Sequence, residues 1–154
     1  MTIQQTGRRL RVGETLRTAG RTVETSDIVA FAGLTGDFYP LHVDEEYART
    51  TQFGTRIAHG PLTFSLAVGL VGLSGFYGDA VVALAGIDRL RARRPVKHGD
   101  TIHVDLSVVG VSAHSVPDQK FFDVDYDVRN QADERVMTFT MTVLARGDIE
   151  ASGK

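Results

Sequence analysis

Three segments late in the chain alternate between apolar and polar positions. Ile102, Val104, Leu106 and Val108 alternate with His103, Asp105 and Ser107. Phe122, Val124, Tyr126 and Val128 alternate with Asp123, Asp125, Asp127 and Arg129, and Met137, Phe139, Met141 and Val143 with Thr138, Thr140 and Thr142. A period of two predicts strands with one buried face. An apolar run over 81–87 precedes them, and Gly99-Asp100 and residues 130–134 carry turn chemistry. The segment opened by Gly60-Pro61 is different: Leu62, Phe64, Leu66, Val68, Leu70, Val71 and Leu73 follow, with only Thr63 and Ser65 polar before Ser74. Proline suits the first helical position, and a helix apolar on nearly every side predicts burial on nearly every side. At about 14 residues it is roughly 21 Å long, too short to cross a bilayer. One central helix and a mostly antiparallel sheet predict an α+β architecture with the sheet curled around the helix.

The first third of the chain mixes short elements. Thr15, Leu16 and Val23 favour extended structure over 15–25, with Gly20 as a turn. Ser26 is positioned to cap a helix from Asp27 to about Leu34, with Asp27 near the positive end of its dipole. Ile28, Val29, Phe31, Ala32 and Leu34 form its apolar face, and Gly36 suits its end. Pro40 pushes Tyr39 toward extended geometry, and residues 44–48 read as a short helix with acids in the first turn.

Composition narrows the class. A chain of 154 residues is one domain on the usual length prior, spanning 1–154, with a core over about 12–146 and a loose tail over 147–154. Apolar residues make up 42% and charged residues 23%, which excludes a disordered chain. No apolar run has the length of a membrane span. Residues 1–14 carry Arg8, Arg9 and Arg11 without an apolar stretch behind them, unlike a signal peptide. The absence of cysteine excludes a disulfide framework, a thiol nucleophile and a thiolate zinc site, and fits a cytoplasmic protein. A net charge of −2 argues against general nucleic-acid binding, although the cluster Arg89, Arg91, Arg93, Arg94 and Lys97 can hold a small anion.

Candidate chemistry concentrates between Gly36 and Gly60. Asp37 and His42 are five residues apart and would point about 140° apart on a continuous helix. The breaks at Gly36 and Pro40 make the segment a loop in which both side chains can converge. A carboxylate beside an imidazole is an acid–base pair suited to neutral pH. The alternative is ordinary turn chemistry for Asp37 and a partly buried, satisfied histidine for His42. Asp37, His42 and His59 also form a formal metal triad, which the position of His59 at a helix start disfavours. His59 reads instead as a structural histidine fixing the loop before Gly60.

Gly36-Asp37-Phe38-Tyr39-Pro40-Leu41-His42 followed by Ile57-Ala58-His59-Gly60-Pro61-Leu62 resembles the MaoC-like dehydratase family, which includes (R)-specific enoyl-CoA hydratases. Arg94-Pro95-Val96, Gly99-Asp100-Thr101 and Asn130-Gln131 extend the resemblance from about Val12 to Arg146. It implies a hot-dog fold, a curved antiparallel sheet wrapped around one long helix. It implies Asp37 and His42 as catalytic residues, Gly60 as the oxyanion-hole glycine, and Ser65 as a hydroxyl near the substrate. Tyr39 departs from the asparagine that is commoner in the family, a residue that helps to hold the reacting water. Tyrosine substitutes an aromatic wall and one hydroxyl for an amide. The implied activity interconverts an enoyl thioester and a 3-hydroxyacyl thioester, with acyl-CoA as substrate, no metal or redox cofactor, and a homodimer or larger homo-oligomer. The alternatives are an acyl-CoA thioesterase and a non-catalytic acyl-thioester-binding subunit.

The remaining polar residues have plainer readings. Ser65 lacks a nucleophile-elbow motif, and a hydroxyl bonded within its own helix is its ordinary role. The arginines over 89–94 read as a solvated strand face, with attraction of CoA phosphates as the functional alternative. His98, His103 and His114 read as surface histidines.

Overall fold

The structure is a computed structural model and describes residues 7–147. Two short strands, β1 (Thr15–Arg17) and β2 (Arg21–Thr22), lead into helix α1 (Thr25–Thr35). The single-turn helices α2 (Pro40–Val43) and α3 (Glu45–Arg49) precede the main helix α4 (Gly60–Leu73). Four long strands follow: β3 (Val81–Ala92), β4 (Thr101–Ala113), β5 (Gln119–Arg129) and β6 (Arg135–Arg146). The sheet order is β1-β4-β5-β6-β3, with β2 also on β4 and every strand pair antiparallel. The first long strand, β3, therefore crosses to the far edge and pairs with the last.

Register explains where the core sits. Leu106 pairs with Tyr126 and Tyr126 with Phe139; Val104 pairs with Val128 and Val128 with Met137; Val108 pairs with Val124 and Val124 with Met141. These rows place the apolar set of each alternating strand on one face, as a period of two requires. Helix α4 lies on that face, burying Leu62, Ala67, Leu70 and Val71. The Phe64 ring meets Phe139 at 4.8 Å between centroids, and Phe139 stacks on Tyr126 at 4.5 Å. Each large side chain so buried contributes roughly 1.5–3 kcal/mol. No helix among the described residues is long and apolar enough to cross a membrane.

Several local expectations change. Glu24, rather than Ser26, caps α1: it and Asp27 form a reciprocal capping box, so the helix starts two residues earlier. Gly36 ends α1 in the left-handed conformation at φ 78°, as expected for a C-cap glycine. Pro40 starts a new helical turn, where its missing N–H costs nothing. Helix α4 is not enclosed: Ser65, Gly69, Gly72 and Leu73 line an exposed face, and Leu73 is 85% exposed. Strand β3 is exposed along nearly its whole length, Val82, Leu84 and Ile87 included. His103 is more enclosed than a surface histidine, at 16% side-chain exposure beside Asp133. Leu10 is fully buried and bridges to Gly147, so the packed unit begins before Val12 and takes in the first residue of the tail. The rest of the tail, 148–154, lies outside the described residues.

One polar pair sits within this core. The Tyr126 hydroxyl is hydrogen-bonded to that of Tyr77 at 2.8 Å, and Tyr126 is 1% exposed. Burial pushes both phenols above their ordinary range. Tyr77→Phe leaves the Tyr126 hydroxyl buried and unpaired, at an expected cost of about 1–3 kcal/mol. Tyr77→Phe combined with Tyr126→Phe removes both partners and is expected to recover most of that loss, read as the urea midpoint of each variant.

Candidate active site

The two breaks in the helical pattern build the site. After Gly36 stops α1, the Asp37 N–H donates to Thr35 Oγ1 (3.2 Å) and Asp37 Oδ1 accepts the Tyr39 N–H (3.3 Å). This turn chemistry holds the loop while leaving the Asp37 carboxylate exposed. Pro40 then starts α2, whose single turn carries His42. The Nδ1 of His42 lies 2.8 Å from the Ile57 carbonyl oxygen. A carbonyl only accepts, so in the neutral ring Nδ1 carries the hydrogen and Nε2 presents its lone pair. That is the tautomer a general base needs.

The segment 57–60 backs the loop from the other side. The Ala58 N–H donates to the Val96 carbonyl (2.7 Å), and Ile57 bridges to Lys97. His59 is 1% exposed, its Nε2 donates to the Asp37 carbonyl (2.9 Å), and its ring stacks on His42 at 3.8 Å between centroids. Asp37, His42 and His59 consequently bring one nitrogen or carboxylate oxygen each within 4.8 Å of one another. Asp37 and His42, five positions apart in the chain, share one small space because Gly36 and Pro40 fold the segment back.

Gly60 is the first residue of α4, directly after His59. Its N–H has no acceptor within the described protein, as expected for a first-turn donor. A cavity of about 270 Å³ adjoins it, walled by Phe53, Ile57, Val96 and Met137 and edged by Arg93. A larger cavity of about 530 Å³ opens on the charged face of the sheet, and neither cavity is lined by Asp37 or His42. Ser65 donates to the Pro61 carbonyl (2.8 Å), the ordinary helix-internal role, and is on the exposed face of α4. It makes no hydrogen bond to Asp37 or His42.

Tyr39 stands edge-on to His42 at 6.3 Å between ring centroids. Its hydroxyl lies 3.4 Å from that of Tyr47, a residue that sequence reasoning did not single out. Tyr47 sits on α3 one helix away, and nothing in its local pattern marks a partner for Tyr39. The hydrogen bond to Tyr39 holds the Tyr47 phenol above its ordinary range, and charge repulsion between the two phenols adds to this. Nearby, the Glu45 carboxyl is held below its ordinary range, first by the Thr55 hydroxyl and then by the Arg56 N–H.

The basic cluster divides. Arg89 donates to Thr140 and pairs with Asp125, Arg91 donates to the Leu90 carbonyl, and Arg94 pairs with Glu134. Lys97 donates to the Phe53 carbonyl. Within this group only the Arg93 side chain has neither a hydrogen-bond nor an ion-pair partner among the described residues, and it borders the cavity beside Gly60.

Two clusters of potential metal ligands occur among the described residues, Asp37 with His42 and His59, and His103 with Asp105 and Asp133. With His42 Nδ1 and His59 Nε2 donating to carbonyls, only His42 Nε2 and His59 Nδ1 are free. Their rings are stacked 28° from parallel at 3.8 Å between centroids. In the second cluster, His103, Asp105 and Asp133, the carboxylates are engaged by arginine. Arg17 binds Asp105 at 2.6 and 2.7 Å, and Arg129 binds Asp133 at 3.3 Å.

The chain matches the MaoC-like domain family over residues 8–132, and it belongs to that family. It is 39% identical over 101 residues to the (R)-specific enoyl-CoA hydratase of Rhodospirillum rubrum, a match covering 66% of this chain and 65% of that protein. It is 36% identical over 100 residues to the 3-hydroxybutyryl-CoA dehydratase of Methylorubrum extorquens, covering 65% of this chain and 59% of that one. These matches span just under two thirds of the relatives' own length. Among solved structures, the monoamine oxidase regulatory protein of Archaeoglobus fulgidus superposes with a TM-score of 0.84 at 37% identity, over 90% of this chain and 92% of that one. A Mycobacterium tuberculosis protein described as a double hotdog fold superposes with a TM-score of 0.77 at 19% identity, over 94% of this chain and 45% of that one. The fold is a hot-dog fold.

Proposed function

We propose that this protein is a hydro-lyase that interconverts an enoyl thioester and a 3-hydroxyacyl thioester, with acyl-CoA as its substrate. The observation that carries the reading is the convergence of the Asp37 carboxylate and His42 within 4.8 Å, with His42 Nε2 bare. The unclaimed N–H of Gly60 in the same segment supplies the third group. The names of the hydratase and dehydratase relatives support the same chemistry.

The mechanism needs only these groups. Asp37 and His42 hold a water, and its oxygen attacks Cβ of the conjugated thioester as the pair takes one proton. Electron density moves to the carbonyl oxygen, which becomes enolate-like and accepts a hydrogen bond from Gly60 at the positive end of α4. The pair returns the proton to Cα as the carbonyl re-forms. The reverse sequence expels water from a 3-hydroxyacyl thioester. Every proton is accounted for, and the addition of water transfers no electrons to or from a cofactor. Ser65 and Tyr39 serve as substrate contacts, and Arg93 offers its unpaired charge to an anionic part of the thioester. We place the enzyme in the cytoplasm, in keeping with its lack of cysteine.

Turnover is expected to fall at least about a hundredfold in Asp37→Asn and in His42→Ala, the usual contribution of a positioned acid or base. The assay follows enoyl absorbance and free thiol together, with circular dichroism checking the fold. Near-parent rates in both folded variants would remove the pair from catalysis, whereas thiol release without hydration would identify a thioesterase.

The exposed β3 edge and the open face of α4 support a homodimer or larger homo-oligomer, since an unpaired apolar edge invites a second copy. Light scattering at micromolar concentration is expected to give at least twice the monomer mass. A monomer alone would leave those surfaces to another partner.

Tyr39 stands beside His42, and its hydroxyl meets that of Tyr47. The two phenols favour a short or functionalised acyl group over a plain long one. In Tyr39→Asn, the ratio of kcat/KM for a carboxylated or hydroxylated enoyl-CoA to that for a plain one is expected to fall. An unchanged ratio would place Tyr39 outside the acyl pocket.

A further inference from the structure

His59 is almost fully buried, yet the proposed reaction gives it no proton to carry. Its Nε2–H donates to the Asp37 carbonyl at 2.9 Å, so its Nδ1 is a bare lone pair, and that atom is buried without a partner. A buried acceptor left unpaired costs free energy that an apolar side chain of similar size would avoid. The contacts of the rest of the ring indicate what offsets that cost. One face stacks on His42 at 3.8 Å, and Phe31 of α1 packs at 5.1 Å. The His59 carbonyl accepts the Thr63 N–H at 3.1 Å and the Thr63 hydroxyl at 3.4 Å, which ties the residue to the first turn of α4. One side chain thus touches the Asp37 backbone and the His42 ring, and its own backbone begins the helix that carries Gly60.

We infer that His59 is the positioning residue of the Asp37–His42 pair, fixing the carboxylate loop through Nε2–H and the imidazole plane through its ring face. The inference rests on the acid–base reading of the site. His59 touches neither water nor thioester in this scheme. It acts by holding two groups whose separation neither α1 nor α2 fixes alone, because the loop between those helices is exposed and its internal hydrogen bonds are long.

The roles of the ring are separable. His59→Gln keeps an N–H donor without a ring, and His59→Phe keeps a ring without a donor. In each folded variant kcat for hydration is expected to fall at least about tenfold with KM within about twofold, since misplacing reacting groups costs rate. Introduced into His42→Ala, the same substitutions should cost no more than about twofold, because a residue that acts through the pair has little left to act on. Equal losses in both backgrounds, or near-parent kcat in the folded single variants, would overturn the inference.

Imidazole nitrogen NMR of the parent protein gives a test independent of turnover and of how the variants fold. The neutral rings should show the hydrogen on Nδ1 of His42 and on Nε2 of His59, and the opposite assignment at either ring would overturn the inference. Loss of the single His42 tautomer in a folded His59 variant would support it. If the parent turned over no enoyl or hydroxyacyl thioester, the proposed reaction would fail, whereas the two tautomers would still decide whether His59 holds the pair.

Discussion

The seating of α4 on the apolar face of the sheet is the constraint from which the rest follows. The rows Leu106–Tyr126–Phe139 and Val104–Val128–Met137 fix the strand register, and a one-residue slip would turn every one of these side chains outward. Phe64 locks the helix to Phe139. Once α4 is held at that position, its first turn is held too, and Gly60, His59 and the preceding residues become a rigid wall. The loop carrying Asp37 and His42 is attached to this wall by His42 at Ile57 and by His59 at Asp37.

The same arrangement accounts for the division between strong and weak parts of the site. In the wall Ala58 and His59 are buried, and the Ala58 N–H donates to the Val96 carbonyl in the connection between β3 and β4. The loop carrying Asp37 is exposed, and its internal bonds are 3.1–3.3 Å long. Chemistry that needs an exposed carboxylate and an ordered imidazole gains from this combination: access for substrate on one side and a fixed tautomer on the other. Tyr39 and Tyr47 border the open side, away from the core.

A single copy also leaves unfinished surface. Helix α4 buries its large apolar residues against the sheet but turns Gly69, Gly72 and Leu73 to solvent. Strand β3 gains its hydrogen bonds from β6 on one side only and exposes Val82, Leu84 and Ile87. The apolarity of α4 and of residues 81–87 in the sequence reflects two demands, a core to fill and an outer surface still to be covered. Reading such a helix as wholly internal conflates them.

Much of this was legible in the sequence because it depends on local periodicity. Alternation over three strands, the Gly60-Pro61 helix start and the breaks at Gly36 and Pro40 are consequences of backbone geometry, and each element lies where those signals put it. The motif around Asp37, His42 and Gly60 was visible as well, and with it the family. What the sequence alone left open depends on atoms distant along the chain: the choice of Glu24 over Ser26 as cap, the crossing of β3 to the edge beside β6, and the pairing of Tyr39 with Tyr47. The proton on His42 Nδ1 is set by the Ile57 carbonyl, and the stack with His59 brings together rings from two separate helix starts. Only the tertiary structure decides these, because hydrogen-bond partners and ring contacts are fixed by the packing of whole elements, whereas periodicity records only which face of each element is buried.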